Sequence, residues 1–177
     1  DYFEAYNNLG VAYMLKVLKK EAFTAYTKAI ELNPTYAEGY NNLGLYWSKL
    51  GDFNEALKSF SIALQHSPNL AETYNNIATI FIKIHRTADA IEMLQKVIQL
   101  EPTFAEAYNN LGNALKILGQ FEKATLSYQS ALKEKPLFTQ ALFNLIQINE
   151  LPKNDPIIKK MKTRLKSTKL SSYDRML

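Results

Sequence analysis

Four of the six prolines, Pro34, Pro68, Pro102 and Pro136, fall 34 residues apart, and the pairs Asn7-Asn8, Asn41-Asn42, Asn75-Asn76 and Asn109-Asn110 keep the same interval. A period of this length outranks other sequence signals, because each repeat must then be one small supersecondary unit. Within each period an apolar pattern of helical spacing is followed by a short turn, a second helical pattern and a proline-containing break. Leu50-Gly51-Asp52 and Leu118-Gly119-Gln120 are the clearest turns. Two short amphipathic helices cannot bury their apolar stripes on each other alone, so neighbouring units must stack. The expected fold class is all-α, an array of antiparallel helix pairs.

The residues at the periodic positions sharpen this. The first unit has Tyr6, Leu9-Gly10, Tyr13, Ala22, Tyr26, Ala29 and Pro34, and the second Tyr40, Leu43-Gly44, Trp47, Ala56, Phe60, Ala63 and Pro68. The third has Tyr74, Ile77-Ala78, Phe81, Ala90, Leu94, Val97 and Pro102, and the fourth Tyr108, Leu111-Gly112, Leu115, Ala124, Tyr128, Ala131 and Pro136. This pattern resembles the tetratricopeptide repeat family, which implies a right-handed superhelical solenoid with a concave surface lined by the first helix of each repeat. The expected units are about 3–36, 37–70, 71–104 and 105–138, with a fifth first helix at 139–150 carrying Leu142, Leu145 and Ile146. Physical reasoning agrees: Gly10, Gly44 and Gly112, with Ala22, Ala56, Ala90 and Ala124, permit close helix approach, and the aromatics fill the space beside them.

Capping-box patterns recur at first-helix starts, as Asp1-x-x-Glu4, Thr35-x-x-Glu38, Asn69-x-x-Glu72 and Thr103-x-x-Glu106, and Asp52-x-x-Glu55 opens a second helix. Val17 and His85 stand where the turn has Gly51 and Gly119, and Val97 replaces a small residue, so looser geometry is expected around the third repeat. Leu151-Pro152 ends the regular array. Residues 151–169 read as a basic amphipathic capping helix, with Asp155 as N-cap, Pro156 at the first helical position, and Ile157, Ile158, Met161 and Leu165 on one side. Residues 170–177 read as the start of a further helix, and with no initiator Met the chain is expected to be a piece of a longer protein.

Composition enters as a filter on function. The chain of 177 residues has no Cys and only His66 and His85, which leaves no thiol nucleophile, Cys-ligated zinc or His-rich metal site. No Gly-rich phosphate loop or paired acid–base carboxylates are visible either, so an enzyme is not expected from this chain, and no cofactor. No apolar run reaches the roughly 20 residues that cross a bilayer, and no secretory signal opens the chain, so a cytoplasmic location is expected. The net charge of +4 divides unevenly: residues 1–152 carry 13 Lys/Arg against 15 Asp/Glu, and residues 153–177 carry 8 against 2. A slightly acidic array argues against a nucleic-acid face there.

Function is therefore sought in the recurring polar residues. Asn8, Asn42, Asn76, Asn110 and Asn144 each precede a core Leu or Ile on the first helix of a repeat. An Asn has mediocre helix propensity and no place in an apolar core, while its amide offers the donor and the acceptor that a peptide backbone needs. In tetratricopeptide proteins, most visibly the O-linked N-acetylglucosamine transferases, an asparagine at this position binds the main chain of an extended segment, and the resemblance implies the same role here. The other reading is that these amides bond to neighbouring helices or water. Asn7, Asn41, Asn75 and Asn109, one residue round the helix, could widen the polar groove. Glu4, Glu38, Glu72 and Glu106 lie four residues before the ladder and could form an acidic rail, although capping is the favoured role. Because Glu72 and Glu106 stand where the family's clamp for C-terminal carboxylates needs Lys or Arg, that clamp is not expected.

The expected partner is thus a protein or peptide segment held in the concave groove by a non-catalytic scaffold. The alternative is a substrate-recruiting arm of a larger transferase, glycosyl- or sulfotransferase, with its catalytic domain beyond residue 177; residues 170–177 are similar to the connector in bacterial repeat-fused sulfotransferases. Self-association through exposed array ends is a third possibility. The lysines and arginine of the tail, Lys159, Lys160, Lys162, Arg164, Lys166 and Lys169, read as the solvated face of the capping helix, with an anionic partner or a linker as the other readings.

Overall fold

The computed structural model describes residues 2–149. The expected capping helix at 151–169, the further helix at 170–177 and the Asp1 cap lie outside them. Among the described residues the chain is all-α: α1 (Tyr2–Leu15), α2 (Lys19–Leu32), α3 (Ala37–Leu50), α4 (Phe53–His66), α5 (Ala71–Lys83), α6 (Thr87–Leu100), α7 (Ala105–Ile117), α8 (Phe121–Glu134) and α9 (Thr139–Asn149), with no strand. They fall into two compact units, α1–α5 up to Ile84 and α6–α9 from His85 onward.

In the first unit α1 packs on α2 and α3 on α4 as antiparallel hairpins, with α2 seated against α3 and α4 against α5. The first helices α1, α3 and α5 also touch one another directly, so they form one face of the unit. In the second unit α7 packs on α8, α6 lies against α7, α8 against α9, and α7 and α9 touch.

The small residues decide how near the helices of a hairpin come. A methyl group built on Gly44 would lie 2.5 Å from Phe60 Cε1, and one on Gly10 would lie 2.5 Å from Tyr26 Cε1. Phe60 and Tyr128 are fully buried and Tyr26 nearly so, and each such burial is worth about 1.5–3 kcal/mol. The ring of the second helix thus occupies the volume that a Cβ on the first would need. Around it the core of the first unit continues through Ala22, Leu43 and Tyr46 with Phe23, Ile30 and Trp47 packed alongside. Leu9 is 41% exposed, whereas its register equivalents Leu43 and Ile77 are each 8% exposed.

Turns keep one geometry despite the change of residue. Gly51 has φ of 85° and Gly119 71°, while Val17 and His85 both adopt 62°, the left-handed region that suits glycine. The same closing bond forms with and without glycine: Leu18 N–H donates to Tyr13 O at 2.9 Å, Asp52 N–H to Trp47 O at 3.1 Å and Gln120 N–H to Leu115 O at 2.9 Å. At Val17 the departure from the repeat pattern therefore appears as strain at one residue, with the closing bond kept.

The caps depart from expectation. α3, α5 and α7 have Tyr36, Leu70 and Phe104 as their N-caps, none with a side-chain capping bond, so Thr35, Asn69 and Thr103 stand one residue too early. The proline break closes a turn in which Tyr36 N–H donates to Asn33 O, Leu70 N–H to Ser67 O and Phe104 N–H to Glu101 O. That turn hands the cap position to an apolar or aromatic residue, so part of its side chain is buried in place of a capping bond. Thr35 instead gives its hydroxyl to Asn33 Oδ1 at 2.9 Å. Among the described caps only Asp52 makes a side-chain capping bond: its Oδ1 accepts from Glu55 N–H at 3.1 Å, while Asp52 N–H itself donates to Trp47 O. Glu38, Glu72 and Glu106 are consequently not partners in capping boxes.

Candidate functional site

The two asparagines of each pair occupy different environments. The first is buried: Asn7, Asn41 and Asn109 are 5%, 3% and 6% exposed, while Asn75 is half-buried. The second sits nearer the surface, half-buried at Asn42, Asn76, Asn110 and Asn144 and exposed at Asn8. A one-residue step of 100° round the helix separates a position between helices from one at the edge of the face.

Hydrogen bonds join the two sets across repeats. Asn42 Nδ2 donates to Asn7 Oδ1 at 2.8 Å, Asn76 Nδ2 to Asn41 Oδ1 at 3.1 Å, and in the second unit Asn144 Nδ2 to Asn109 Oδ1 at 3.1 Å. Asn41 Oδ1 also accepts from the fully buried hydroxyl of Thr73 at 2.9 Å. Asn144 Nδ2 reaches Asn113 Oδ1 as well, at 3.0 Å, and Asn113 Oδ1 accepts from Tyr128 Oη at 2.9 Å. Buried amides can remain in the packed interior because their hydrogen-bonding capacity is used, and among the described residues no buried side-chain nitrogen or oxygen lacks a partner.

Burial gives Asn7, Asn41 and Asn109 a different task from lining an open surface: they hold the amides of the following repeat. Asn42, Asn76 and Asn144 each donate through Nδ2 to the preceding repeat, and the structure gives their Oδ1 atoms no partner among the described residues. Each amide is fixed on one side and offers an acceptor on the other. Asn8 opens the series without a preceding Asn.

Charge and aromatic groups border this line in the first unit. Tyr36 Oη accepts from Asn7 Nδ2 at 3.4 Å, and the Tyr36 ring meets Phe3 edge-on with centroids 4.9 Å apart. Burial, together with the carboxylates of Glu38 and Glu4, pushes the Tyr36 phenol above its usual range. In the second unit Glu106 Oε1 pairs with Lys135 Nζ at 2.8 Å, which holds the Glu106 carboxyl below the usual range despite opposing desolvation. Lys135 Nζ also lies 4.9 Å from the Phe138 ring centroid. His66 stacks on Tyr40 at the end of α4, and His85 sits in its turn.

Tyr36, Thr73, Asn113 and Lys135 do not stand out in the sequence as site residues. The spacing that places a later Asn 35 positions from its acceptor is present in the sequence, but the division into a buried and a surface partner becomes visible only once the helix faces are set. Among the described residues there is no group of three His, Cys, Asp or Glu that could hold a metal ion, and no helix is long and apolar enough to cross a membrane.

Comparison with known proteins places the arrangement. Family profiles described as tetratricopeptide repeat match residues 3–36, 37–70, 71–104 and 93–125. A search of the curated proteins found no match. Among solved structures, MamA is 26% identical over 89% of this chain and 93% of its own, with a TM-score of 0.71. Pseudomonas aeruginosa PilF is 16% identical over 97% and 79%, with a TM-score of 0.82. The first such repeat domain of Spaghetti (RPAP3), bound to the HSP90 peptide SRMEEVD, is 22% identical over 65% and 91%, with a TM-score of 0.62.

Proposed function

Because the chain belongs to the tetratricopeptide repeat family, we propose that it is a non-catalytic interaction module, cytoplasmic in setting, that holds an extended peptide segment along the first helices of its repeats. The ladder Asn8, Asn42 and Asn76 does this in the first unit, and Asn110 and Asn144 in the second. The observation that carries the reading is the pinning of Asn42, Asn76 and Asn144 by amides of the preceding repeat, with Oδ1 left over. An acceptor already fixed in place loses little conformational freedom when a peptide N–H arrives, and such preorganisation raises affinity. Asn7, Asn41 and Asn109 position the ladder, and Asn75 widens the polar groove. The resemblance to asparagines of O-linked N-acetylglucosamine transferases lends the same support, as does a neighbour of this fold with a bound peptide.

With packed helices about 8–10 Å apart and an extended chain advancing about 3.3–3.6 Å per residue, each repeat matches about three ligand residues. The test is a peptide-array screen against the purified chain, followed by affinity measurement for the strongest binder. Two net hydrogen bonds at about 0.5–1.5 kcal/mol each give a loss of roughly tenfold in Asn42→Ala plus Asn76→Ala, with helical circular dichroism preserved. Binding unchanged in that variant refutes the reading.

A further inference from the structure

Three helices of the second unit bring one further amide into the network. Asn113 on α7 accepts at Oδ1 from Tyr128 Oη of α8 at 2.9 Å and from Asn144 Nδ2 of α9 at 3.0 Å. Asn144 Nδ2 gives its other hydrogen to Asn109 Oδ1 at 3.1 Å, one turn earlier on α7. Both hydrogens of that nitrogen and both lone pairs of Asn113 Oδ1 are therefore taken, and neither amide turns without breaking two bonds. Tyr128 is fully buried, and burial pushes its phenol up to about 12, so the hydroxyl stays protonated and keeps donating.

This orientation leaves two atoms over, Asn144 Oδ1 and Asn113 Nδ2. Neither has a partner among the described residues, both residues are half-buried, and no unpartnered side-chain nitrogen or oxygen there is shut away from solvent. Both atoms are thus open to a ligand. One is an acceptor and the other a donor, on two amides that are themselves joined by the 3.0 Å bond. The first three repeats carry Val11, Leu45 and Thr79 at the place of Asn113, and Thr79 turns its hydroxyl back to Asn75 O at 3.0 Å. None of those three supplies an outward side-chain N–H. The hydroxyl that fixes Asn113 is equally local, since Phe60 and Leu94 stand at the place of Tyr128 in the second and third repeats.

We infer that Asn113 is a further ligand-binding residue, and that with Asn144 it forms a two-point site for an amide that presents its N–H and C=O on one edge. The ligand N–H donates to Asn144 Oδ1, and the ligand C=O accepts from Asn113 Nδ2. One residue of an extended segment offers both groups in this way, as residues of hydrogen-bonded pairs do in antiparallel strands, and so does the carboxamide of an Asn or Gln side chain. The inference deepens the peptide-holding reading and rests on it for the role of Asn144. It adds that the second unit reads a carbonyl as well as an N–H, which fixes which edge of the segment faces the helices.

The probes are N-acetyl-valine N-methylamide, whose valine carries both groups on an extended chain, and propionamide, which is a side-chain carboxamide alone. The control is the ester analogue of the first, with oxygen in place of the valine N–H. Each is titrated into the full chain while the side-chain amide resonances of Asn113 and Asn144 are followed by NMR. Saturable shifts at both residues are expected, with the ester weaker by about fivefold or more. The probe that acts at the lower concentration assigns the site to main chain or to side-chain carboxamide. Asn113→Asp keeps an oxygen that accepts from Tyr128 and Asn144 and removes the outward N–H. It is expected to weaken the better probe, read at Asn144, by about fivefold or more with helical circular dichroism unchanged. Absence of shifts at Asn113, or binding indifferent to Asn113→Asp, overturns the two-point site and leaves the ladder reading standing. Probe binding that is lost in Asn113→Asp, together with unaltered peptide binding in Asn42→Ala plus Asn76→Ala, keeps the two-point site and removes the ladder reading.

Discussion

Replacing Asn41 by Ala separates the task of the buried asparagine from that of its neighbour. Asn41 Oδ1 accepts two hydrogen bonds, from Thr73 Oγ1 at 2.9 Å and from Asn76 Nδ2 at 3.1 Å, and the residue is 3% exposed. Loss of the acceptor strands the fully buried Thr73 hydroxyl, at a cost of about 1–3 kcal/mol, and removes the second bond, worth about 0.5–1.5 kcal/mol. The expected destabilisation is about 2–4 kcal/mol. Asn42→Ala removes one donor, from Asn7 Oδ1, at a half-buried site whose vacated space water can enter, and is expected to cost about 1 kcal/mol, less than Asn41→Ala because one bond is lost in place of two. Thr73→Val completes a double-mutant cycle. Alone it destabilises, but in the Asn41→Ala background it removes a stranded hydroxyl and is near neutral, giving a coupling of at least about 1 kcal/mol. Urea unfolding followed by circular dichroism, with hydrogen exchange of α3 and α5 amides to localise the effect, measures each corner. Equal costs for Asn41→Ala and Asn42→Ala, or additive costs for Asn41→Ala and Thr73→Val, refute the assignment of Asn41 as the structural acceptor.

Other consequences can be measured in the same way. Gly44→Ala drives a methyl group into the fully buried Phe60 ring and is expected to cost about 1–3 kcal/mol. Adding Phe60→Leu should recover part of that in thermal unfolding, since the third repeat itself carries Ala78 and Leu94 in these positions. Val17→Gly and His85→Gly relieve left-handed strain at φ of 62° and are expected to raise stability by about 1 kcal/mol each, more for the β-branched Val17; a lowered melting temperature would contradict this. Burial pushes the Tyr128 phenol up to about 12 from 10.0, so the folded state resists ionisation that the unfolded state permits. Its contribution is complete below pH 10 and fades as pH rises from there toward 12, and Tyr128→Phe should flatten the alkaline fall in stability over that window.

Repeat architecture was legible because periodicity is a property of the chain itself: Pro34 to Pro136 and the Gly–aromatic positions fix where helices start, turn and pack. The helix caps differ from the sequence pattern for a local reason. Thr35-x-x-Glu38 has the composition of a capping box, but the proline turn shifts the cap to Tyr36, and a side chain's share of burial outweighs a single exposed hydrogen bond. At the candidate site the register of the asparagines was readable, and the separate tasks of Asn41 and Asn42 were not. A helix turns 100° per residue, so adjacent positions can face a packed interior and an open edge, and which is which depends on the helix lying alongside. Lys135 and Asn33 show a further limit. Their significance lies in contacts with Glu106, Phe138 and Thr35, which the 34-residue period alone does not specify.

The amide bonds between repeats also bear on how such a chain can change length. Each runs from one residue to another 35 positions later, so excising residues 37–70 as a block brings Asn76 against Asn7 in place of Asn42. A duplication of 34 residues is absorbed in the same manner. An insertion of one or two residues within a first helix rotates the donor by about 100° or 200° away from its acceptor and strands an amide in the interior. Copy number is therefore free to drift while the length of each copy is held, and the buried asparagine is one of the groups that enforces the difference.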